Sequence, residues 1–293
     1  MKQQPALYWL VPLIAALALI AAGFGLFTPN DGSRVSYTTV RGETVEIWGQ
    51  GLYKYDTPIG ATGFTAADLI TLSLAIPMLI ISILMVRRDS LKGGLTLTGV
   101  LAYFLYNYIS MGFGTAYNNL FLVYVLIFSA SLFGLILALL AFDVQTLRSH
   151  FGSGLPRNGI GIFLIVSGII LSLVWLVLSI IPALIANTAA PEAYYYTTFI
   201  TATVDIGVVT PALILAGVLI RRDAPFGYLL SATMLIFTCI LGANLTAGGI
   251  VQVAKEVITL GQAMVFTVPF VFLALIAAWF TSQLFRNFSE KAL

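Results

Sequence analysis

The sequence predicts an all-α transmembrane fold of eight helices in two tandem four-helix repeats, with a short extracytoplasmic β-hairpin-like loop. Its composition, its uncharged runs and a motif that occurs twice support this prediction. Of the 293 residues, 59% are hydrophobic and 9% are charged, whereas about 25% of the residues of a soluble domain are charged. Mean hydropathy is +0.99. So few charges cannot cover a water-facing surface, which excludes soluble and disordered classes.

Eight apolar runs are long enough to cross a bilayer, which takes about 20 residues. The predicted spans are residues 6–27, 65–86, 95–113, 119–142, 159–186, 195–220, 227–254 and 257–285. The third and fourth spans share one uncharged stretch, which Gly112, Gly114 and Asn118 interrupt with turn-forming residues. The first apolar run exceeds the roughly 7–15 residues of a signal-peptide core, so we expect it to stay as a helix.

The charges of the loops orient the predicted spans. With both termini in the cytoplasm, ten basic residues lie in the inner loops and four in the outer loops, as the positive-inside rule requires. The inner residues are Lys2, Arg87, Arg88, Lys92, Arg148, Arg157, Arg221, Arg222, Arg286 and Lys291. The outer residues are Arg34, Arg41, Lys54 and Lys255.

The outer loop, residues 28–64, is the only long segment outside the predicted spans. Two β-rich runs, 35–40 and 44–48, flank a turn that contains glycine, which predicts a hairpin. Residues 49–56 are predicted to add a third strand. An isolated hairpin is marginal in water, so we expect it to rest on the helix ends. It is either a lid over the outer face or a gate that binds a ligand or partner, because long ordered loops are often functional.

A motif around an arginine pair occurs once in each half of the chain. Pro77 precedes the Arg-Arg-Asp triplet at 87–89, and Pro211 precedes the Arg-Arg-Asp triplet at 221–223 with the same spacing. Apolar helices resemble one another easily, but this spacing of proline and charges is specific. It indicates an internal duplication.

A second correspondence pairs acids and amides of the two halves, in a slightly shifted register. The pairs are Asp68 with Asp205 and Asn107 with Asn244. We therefore predict one repeat over residues 1–158, which includes the loop at 28–64, and a second over residues 159–293. Since four helices are an even number, the repeats would share one topology about an axis along the membrane normal.

Ionisable side chains inside a membrane are functional candidates by default, and only Asp68 and Asp205 qualify. Asp68 has a structural alternative, because Thr65-Ala-Ala-Asp68 is similar to a capping box. Pro191-Glu192 is typical of a helix start, which would bury Asp205 several turns inside its helix. A rise of 1.5 Å per residue sets Asp205 and Asn244 at one depth, roughly 24–26 Å from their shared loop. We therefore expect the amide of Asn244 to donate to the carboxylate of Asp205.

The predicted span at 95–113 is unusually polar. Tyr103 and Asn107 share one face by helical spacing, and Tyr106 lies next to them in the chain. An outer aromatic belt accounts for part of this pattern. A cavity mouth lined by hydroxyl and amide groups is the alternative. The candidate ligand-binding residues are Asp205, Asn244, Asp68, Asn107, Tyr103 and Tyr106.

The sequence lacks the residues that metal-binding, enzymatic and nucleic-acid-binding functions would need. One histidine and one cysteine do not make the usual zinc, haem or iron–sulfur ligand sets, so we expect no cofactor and no metal. No phosphate-binding, dinucleotide, zinc-protease or hydrolase motif occurs, and a membrane enzyme would need more clustered acids and bases. No basic cluster indicates nucleic acid. The expected partners are the lipid bilayer and a small solute or ion.

Residues 49–56 (GQGLYKYD), 68–72 (DLITL), 106–108 (YNY) and 211–227 resemble segments of uncharacterised prokaryotic multi-pass membrane proteins. The resemblance implies an eight-helix layout in a prokaryotic cell (plasma) membrane, without an activity. We expect a non-enzymatic, transport-like protein that handles a solute at a polar site near the outer leaflet, between the repeats. The alternative is a structural or regulatory membrane subunit whose outer loop, 28–64, binds a partner.

Overall fold

The computed structural model describes residues 4–29, 31–190, 193, 195–196 and 198–290, which are mostly helical. The helices are α1 Leu7–Phe27, α2 Pro58–Val86, α3 Leu91–Gly114, α4 Phe121–Leu140, α5 Val144–Arg148, α6 Arg157–Ala186, α7 Ile200–Arg221, α8 Pro225–Ala254 and α9 Leu260–Arg286. The strands are β1 Val35–Thr38 and β2 Thr44–Ile47.

Seven helices among the described residues are long and apolar enough to cross a membrane, which supports the prediction of a multi-pass membrane protein. They are α1, α2, α4 and α6 to α9. The predicted count of eight is not reached, because α3 carries tyrosines, Asn107 and Lys92 and is less apolar. The physical reason is its position. More than half of its residues are buried against other helices, so α3 does not need a lipid-compatible surface.

Helices α3 and α8 pack against each other at the centre of the bundle. The hydroxyl of Thr233 donates to that of Thr98 across this interface at 2.8 Å. Gly99 permits the close approach, because a Cβ there would lie 2.5 Å from the Cβ of Ile236. The remaining long helices surround this central pair, and their outward faces carry exposed leucine, isoleucine and phenylalanine side chains.

Four connections meet at one end of the bundle, which we name the hairpin end. They are the described residues of the segments 28–57, 115–120, 187–199 and 255–259. The guanidinium of Arg34 donates to the carbonyl of Lys255 at 3.1 Å, beyond the last turn of α8. The backbone N–H of Ala116 donates to the carboxylate of Asp56 at 2.8 Å. The hairpin therefore rests on the helix ends, as the sequence predicted.

The other three connections and the residues after α9 meet at the opposite end, which we name the arginine end. They are residues 87–90, 141–156, 222–224 and 287–290. Ser90 donates to the carboxylate of Glu290 at 2.7 Å, and the N–H of Gly152 donates to the carbonyl of Asn287 at 2.9 Å. Since α3 begins at this end and finishes at the hairpin end, it runs the full length of the bundle.

The arginine end holds eight of the ten basic residues that were predicted to be cytoplasmic. They are Arg87, Arg88, Lys92, Arg148, Arg157, Arg221, Arg222 and Arg286. The other two, Lys2 and Lys291, lie outside the described residues. The four basic residues predicted for the outer side lie at the hairpin end. The charge asymmetry of the loops is thus an asymmetry between the two ends of the bundle.

The predicted hairpin is confirmed, since β1 and β2 pair as an antiparallel two-stranded sheet. Gly42 in its turn has φ 90°, which glycine adopts without strain. The predicted third strand at 49–56 is wrong. Gly49 (φ 73°) and Gly51 (φ 61°) turn the chain, which then folds back to bond with Trp48 and Gly49. This compact turn buries Tyr53 against the helix ends.

In the part of the chain that the structure describes, three helices each contain a π-helical turn. The turns are Thr71–Ala75 in α2, Leu176–Ile180 in α6 and Asp205–Val209 in α7. A proline occupies the second position after each turn, at Pro77, Pro182 and Pro211. Proline lacks the N–H of the regular helical ladder, and the wider turn accommodates the defect. π-helical turns are frequent at functional sites, and two of these lie at or near the buried acids.

The two arginine-pair motifs have the same backbone. Asp89 and Asp223, the last residues of the two Arg-Arg-Asp triplets, both adopt the left-handed conformation, with φ 58° and 56°. Just beyond each turn, in the first turn of the next helix, Gly93 and Gly227 pack against the end of the preceding helix. A Cβ on them would lie 3.0 Å and 2.5 Å from a backbone nitrogen of that helix. The sequence motif therefore specifies one local structure twice.

Helix α7 begins at Ile200, five residues later than predicted, so Asp205 lies in its second turn and not several turns inside. The predicted helix start at Pro191-Glu192 lies outside the described residues. The residues just before α7 serve the hairpin end instead, because Tyr196 donates to the carboxylate of Asp56 at 2.9 Å. This hydrogen bond ties Tyr196 to the hairpin end, so the residue lies in the connection before α7 and not in the helix.

Candidate functional site

Ten buried side-chain atoms have no hydrogen-bond partner among the described residues. Eight of them lie on α2, α3 and α4, and we name these residues the polar cluster: Asp68, Thr71, Tyr103, Asn107, Tyr108, Ser110, Tyr124 and Ser131. The other two atoms belong to Asp56 and Asp205. Buried polar groups are normally paired, and an unpaired one costs about 1–3 kcal/mol. The bundle interior therefore holds a concentration of polar atoms with unused hydrogen-bonding capacity.

Asp68 is completely buried on α2, one turn before the π-helical turn. The hydroxyl of Tyr53, from the compact turn of the outer loop, donates to its Oδ2 at 2.6 Å. Its Oδ1 has no partner among the described residues. Gly25 of α1 leaves the space for this carboxyl, because a Cβ there would collide with Oδ2. Asp68 is not part of a capping box, because α2 begins at Pro58 with Thr57 as its cap.

Tyrosine hydroxyls surround Asp68. Tyr103 and Tyr108 of α3 and Tyr124 of α4 are buried and within electrostatic reach of its carboxyl. The rings of Tyr108 and Tyr124 pack with their centroids 6.2 Å apart, and Tyr103 faces Thr71 of α2. No basic side chain interacts with Asp68 among the described residues. In this part of the structure, the surroundings are therefore hydroxyl-rich and contain no countercharge.

Asp205 occupies a different environment between α6, α7 and α3. The indole Nε1 of Trp175 donates to its Oδ2 at 2.8 Å, and the hydroxyl of Tyr106 also faces the carboxyl. Its Oδ1 has no partner among the described residues. Nearby, Ser172 donates to Thr210 at 2.9 Å, which joins α6 to α7. Asp205 is 4% exposed, so both acids are buried.

Helix α3 lies between the two acids. Tyr103 is on the side of Asp68, Tyr106 is on the side of Asp205, and the two tyrosines are one helical turn apart and interact electrostatically. Tyr103 does not belong to an outer aromatic belt, because it has no exposed surface. Of the predicted site residues, α3 thus connects two acids and two tyrosines into one buried polar region.

The two predicted asparagines behave differently. Asn107 is buried on α3 and its Nδ2 has no partner among the described residues, so it belongs to the polar cluster. Asn244 on α8 is partly exposed, and the hydrogen bonds described for Asp205 do not include one from Asn244. Trp175 supplies the donor instead. Equal depth along two helices does not make two side chains face each other, because each helix also rotates about its axis.

A third buried acid, Asp56, lies at the hairpin end just before α2. Its Oδ1 accepts from the N–H of Ala116 at 2.8 Å and from the hydroxyl of Tyr196 at 2.9 Å. Burial raises the pKa of Asp56 to about 7, against the lowering effect of these two donors. Asp56 therefore joins three connections of the hairpin end through one carboxyl that titrates near neutral pH.

Sequence reasoning missed four groups that complete these environments: Tyr53, Asp56, Tyr124 and Trp175. A periodic pattern does not reveal them, because the first two are in a loop and the others are ordinary aromatic residues of apolar helices. The position of Asp56 directly before a Thr-Pro helix start was the one available signal. Among the described residues, no three histidine, cysteine, aspartate or glutamate side chains group together as metal ligands would.

The comparison with known proteins covers the whole chain. No protein-family model, curated protein or solved structure matches the sequence or the fold.

Proposed function

We propose that this chain is a multi-pass protein of the cell membrane that handles a small ion or solute at the polar cluster. One observation carries the proposal: eight residues on three adjoining helices each keep a buried polar atom without a hydrogen-bond partner among the described residues. Three of them, Tyr103, Tyr108 and Tyr124, interact with the carboxyl of Asp68. Ionisable groups inside membrane proteins mark ion and proton pathways. A purely structural interior would pair these groups or replace them by apolar residues of similar size.

The chemistry of the polar cluster favours a proton or a small cation. Its ligands are carboxyl, hydroxyl and amide groups, and no basic side chain among the described residues pairs with Asp68 or Asp205. An anion would meet the uncompensated charge of these acids. A proton or a small cation would neutralise it and satisfy the free oxygen atoms. The tyrosines at Tyr103 and Tyr106 extend this environment from one acid to the other.

We further propose that α3 is the eighth membrane crossing. It is 24 residues long and runs between the same two ends as its neighbours. Its low apolarity is compatible with a crossing because its neighbours shield it from lipid. The arginine end would then face the cytoplasm, together with both termini, by the positive-inside rule.

The duplication stays a proposal, with residues 1–158 and 159–293 as its repeats. The equal φ angles at Asp89 and Asp223 support it, as do the π-helical turns of α2 and α7, which begin at Thr71 and Asp205 in the same register. In that register Asp205 corresponds to Thr71, so the backbone does not follow the predicted pairing of Asp205 with Asp68. The buried acids would then be particular to each repeat.

The test of the function is ion flux in proteoliposomes. The purified protein is reconstituted with a dye inside that is selective for H⁺, Na⁺ or K⁺, and a gradient of the corresponding ion is imposed. We expect saturable flux of one of these ions, and its loss in Asp68→Asn, which keeps the shape of the side chain and the hydrogen bond from Tyr53. Asp89→Asn is the matched control, because asparagine also tolerates its left-handed backbone.

The flux measurement has clear contrary outcomes. Flux equal to that of empty liposomes for every ion contradicts a transport role. Equal flux in the parent and in Asp68→Asn contradicts the polar cluster as the site. Thermal stability in detergent is measured for each variant, so that a folding defect is recognised separately.

A second candidate function is a structural or regulatory subunit whose outer loop binds a partner. The exposed apolar side chains of the hairpin favour it: Val35 and Tyr37 are about half exposed and Val40 is 85% exposed. Val40→Asp would remove an apolar contact without disturbing buried residues. A membrane protein that co-purifies with the parent and is lost from this variant would support the second candidate. Co-purification that survives the substitution contradicts it.

A further inference from the structure

A cleft at the arginine end lies far along the bundle from the polar cluster. It forms where α6 begins and α7 ends, and its volume is about 540 Å³. Residues 155–159 and 221–223 make its walls. The cleft therefore lies at the ends of α6 and α7, two of the candidate membrane-spanning helices.

The walls of this cleft carry more positive than negative charge. Arg157, Arg221 and Arg222 line it, with Asp223 as the one acid among its described residues. Among the described residues, Arg221 and Arg222 form no ion pair. Both are exposed, so their guanidinium groups are free to meet a ligand. Guanidinium groups bind phosphate oxygens in a bidentate geometry, which makes a phosphate the matching ligand.

The acid of the cleft is already neutralised by other groups. Asp223 forms ion pairs with Arg148 and Arg157, and it accepts a hydrogen bond from Tyr228. The Tyr228 hydroxyl, followed by Arg157, holds the pKa of Asp223 below its ordinary range. Because Asp223 is occupied in this way, it does not cancel the charges of Arg221 and Arg222.

The helix ends also prepare the cleft for an anion. Helix α6 begins after Pro156, which supplies no side-chain cap. The N–H of Arg157 donates to the carbonyl of Leu155, and the N–H groups of the two residues after Arg157 are left uncapped in the first turn. Gly161 allows the stem of Arg221 to lie directly on α6, because a Cβ there would collide with the Cγ of Arg221. The positive end of α6 and this arginine are therefore on one side of the cleft.

We propose that this cleft binds the phosphate group of an anionic membrane lipid. Lipid is favoured over a soluble anion because apolar side chains continue from the cleft along both helices. Ile162 is one turn beyond Asn158 and Leu215 is two turns before Arg222, each on the same helical face, and both are about half exposed. The headgroup would occupy the cleft and the acyl chains would follow these faces. Basic clefts between membrane helices bind anionic headgroups in this way.

The chain itself offers a matched control. The arginine pair Arg87-Arg88 precedes the same left-handed turn in the other half, but it does not line this cleft. Its first member lies over the ring of Tyr8 at 5.3 Å instead. The variants R221Q/R222Q and R87Q/R88Q thus remove equal charge from equivalent turns. R221K/R222K keeps the charge but not the bidentate geometry.

The experiment titrates phosphatidylglycerol into the full-length protein in detergent and counts bound lipid by native mass spectrometry. We expect one tightly bound phosphatidylglycerol in the parent, affinity weaker by roughly tenfold or more in R221Q/R222Q, and little change in R87Q/R88Q. R221K/R222K should be intermediate. Unchanged elution volume and helical circular dichroism show that the variants are folded.

Four results would overturn the proposal. Phosphatidylcholine that binds as tightly as phosphatidylglycerol removes the anionic requirement. Inorganic phosphate that competes at the same concentration as the lipid makes the ligand a soluble anion. Equal losses in both double variants make the effect one of surface charge. If R221Q/R222Q binds the lipid as the parent does, the cleft is not the lipid-binding site.

Discussion

At the residue scale, alanine substitutions at two glycines of α1, Gly23 and Gly25, test how tightly Asp68 is enclosed. A Cβ on Gly25 would collide with the carboxyl of Asp68, whereas a Cβ on Gly23 would meet no atom within 4 Å. We expect Gly25→Ala to lower the free energy of unfolding by about 1–3 kcal/mol through overpacking. Gly23→Ala should be neutral or stabilising by up to about 1 kcal/mol, because it favours the helix.

Thermal unfolding in detergent measures both variants. The double variant Gly25→Ala/Asp68→Ala removes the colliding carboxyl, so its loss should be smaller than the sum of the two single losses. Additive losses would mean that Gly25 and Asp68 do not contact each other in the membrane-embedded protein. Equal effects of the two glycine substitutions would have the same meaning.

Asp56 predicts a pH dependence of stability. Its pKa is about 7 in the folded protein because of burial, and about 3.9 in an unfolded chain. The folded state therefore holds the proton more tightly, so stability is greatest below about pH 4 and falls as the pH rises to about 7. The total change is up to about 4 kcal/mol, or 1.36 kcal/mol for each unit of pKa difference.

Asp56→Asn removes this titration, since its amide cannot ionise. The melting temperature of the parent between pH 4 and pH 8 should fall more steeply than that of the variant, and the two slopes should agree above about pH 7. Parallel curves throughout would show that Asp56 does not titrate in this range. Glu46→Gln is the control, because Glu46 is an exposed acid of the same loop.

At the residue scale, the sequence indicated two of the three buried acids among the described residues but not what they contact. Asp68 and Asp205 stood out as acids within apolar runs, and both are buried. Their partners could not be predicted, because Tyr53 comes from a loop and Trp175 from a helix of uniform apolarity. Counting residues set the depth of Asp205 but not its direction, and the π-helical turn at Asp205–Val209 alters the helical register.

At the scale of elements, the apolar runs predicted the helices well and their polar neighbours poorly. The hairpin was predictable because β-rich runs flank a glycine turn. The turn at 49–56 was not, since its aromatic residues suit a strand while Gly49 and Gly51 reverse the chain. Helix α3 shows a further limit: its length was predictable, but its low apolarity reflects shielding by neighbours, which a single sequence does not reveal.

The ends of the helices predict an opposite accessibility of two residues. Gln50 is in the hairpin-end loop, and Ser90 is in the turn before α3 at the arginine end. In a Cys239→Ser background, a cysteine at position 50 should react with an impermeant thiol reagent in intact cells. One at position 90 should react only after permeabilisation, as the positive-inside rule requires. The reverse pattern would invert the proposed orientation, and equal labelling of both in intact cells would contradict a crossing between them.

At the scale of the whole molecule, the bundle has two different ends, and its largely apolar core contains a cluster of buried polar groups. The arginine end carries ion pairs around Asp223, and the hairpin end joins its connections through Asp56. The composition predicted the membrane class because 26 charges cannot cover a soluble surface of this size. It could not predict that unpaired polar groups would concentrate on α2, α3 and α4, since that depends on how the helices pack.

A density map of the protein in lipid nanodiscs would show whether the polar cluster holds a bound species. If the polar cluster binds an ion or a hydrated solute, ordered non-protein density should lie within about 3.2 Å of Oδ1 of Asp68. The same density should approach the hydroxyls of Tyr103 or Tyr124, and it should be absent or altered in Asp68→Asn. A dry cluster, in which these groups bond only to one another in both proteins, would contradict the binding of an ion or solute at the polar cluster.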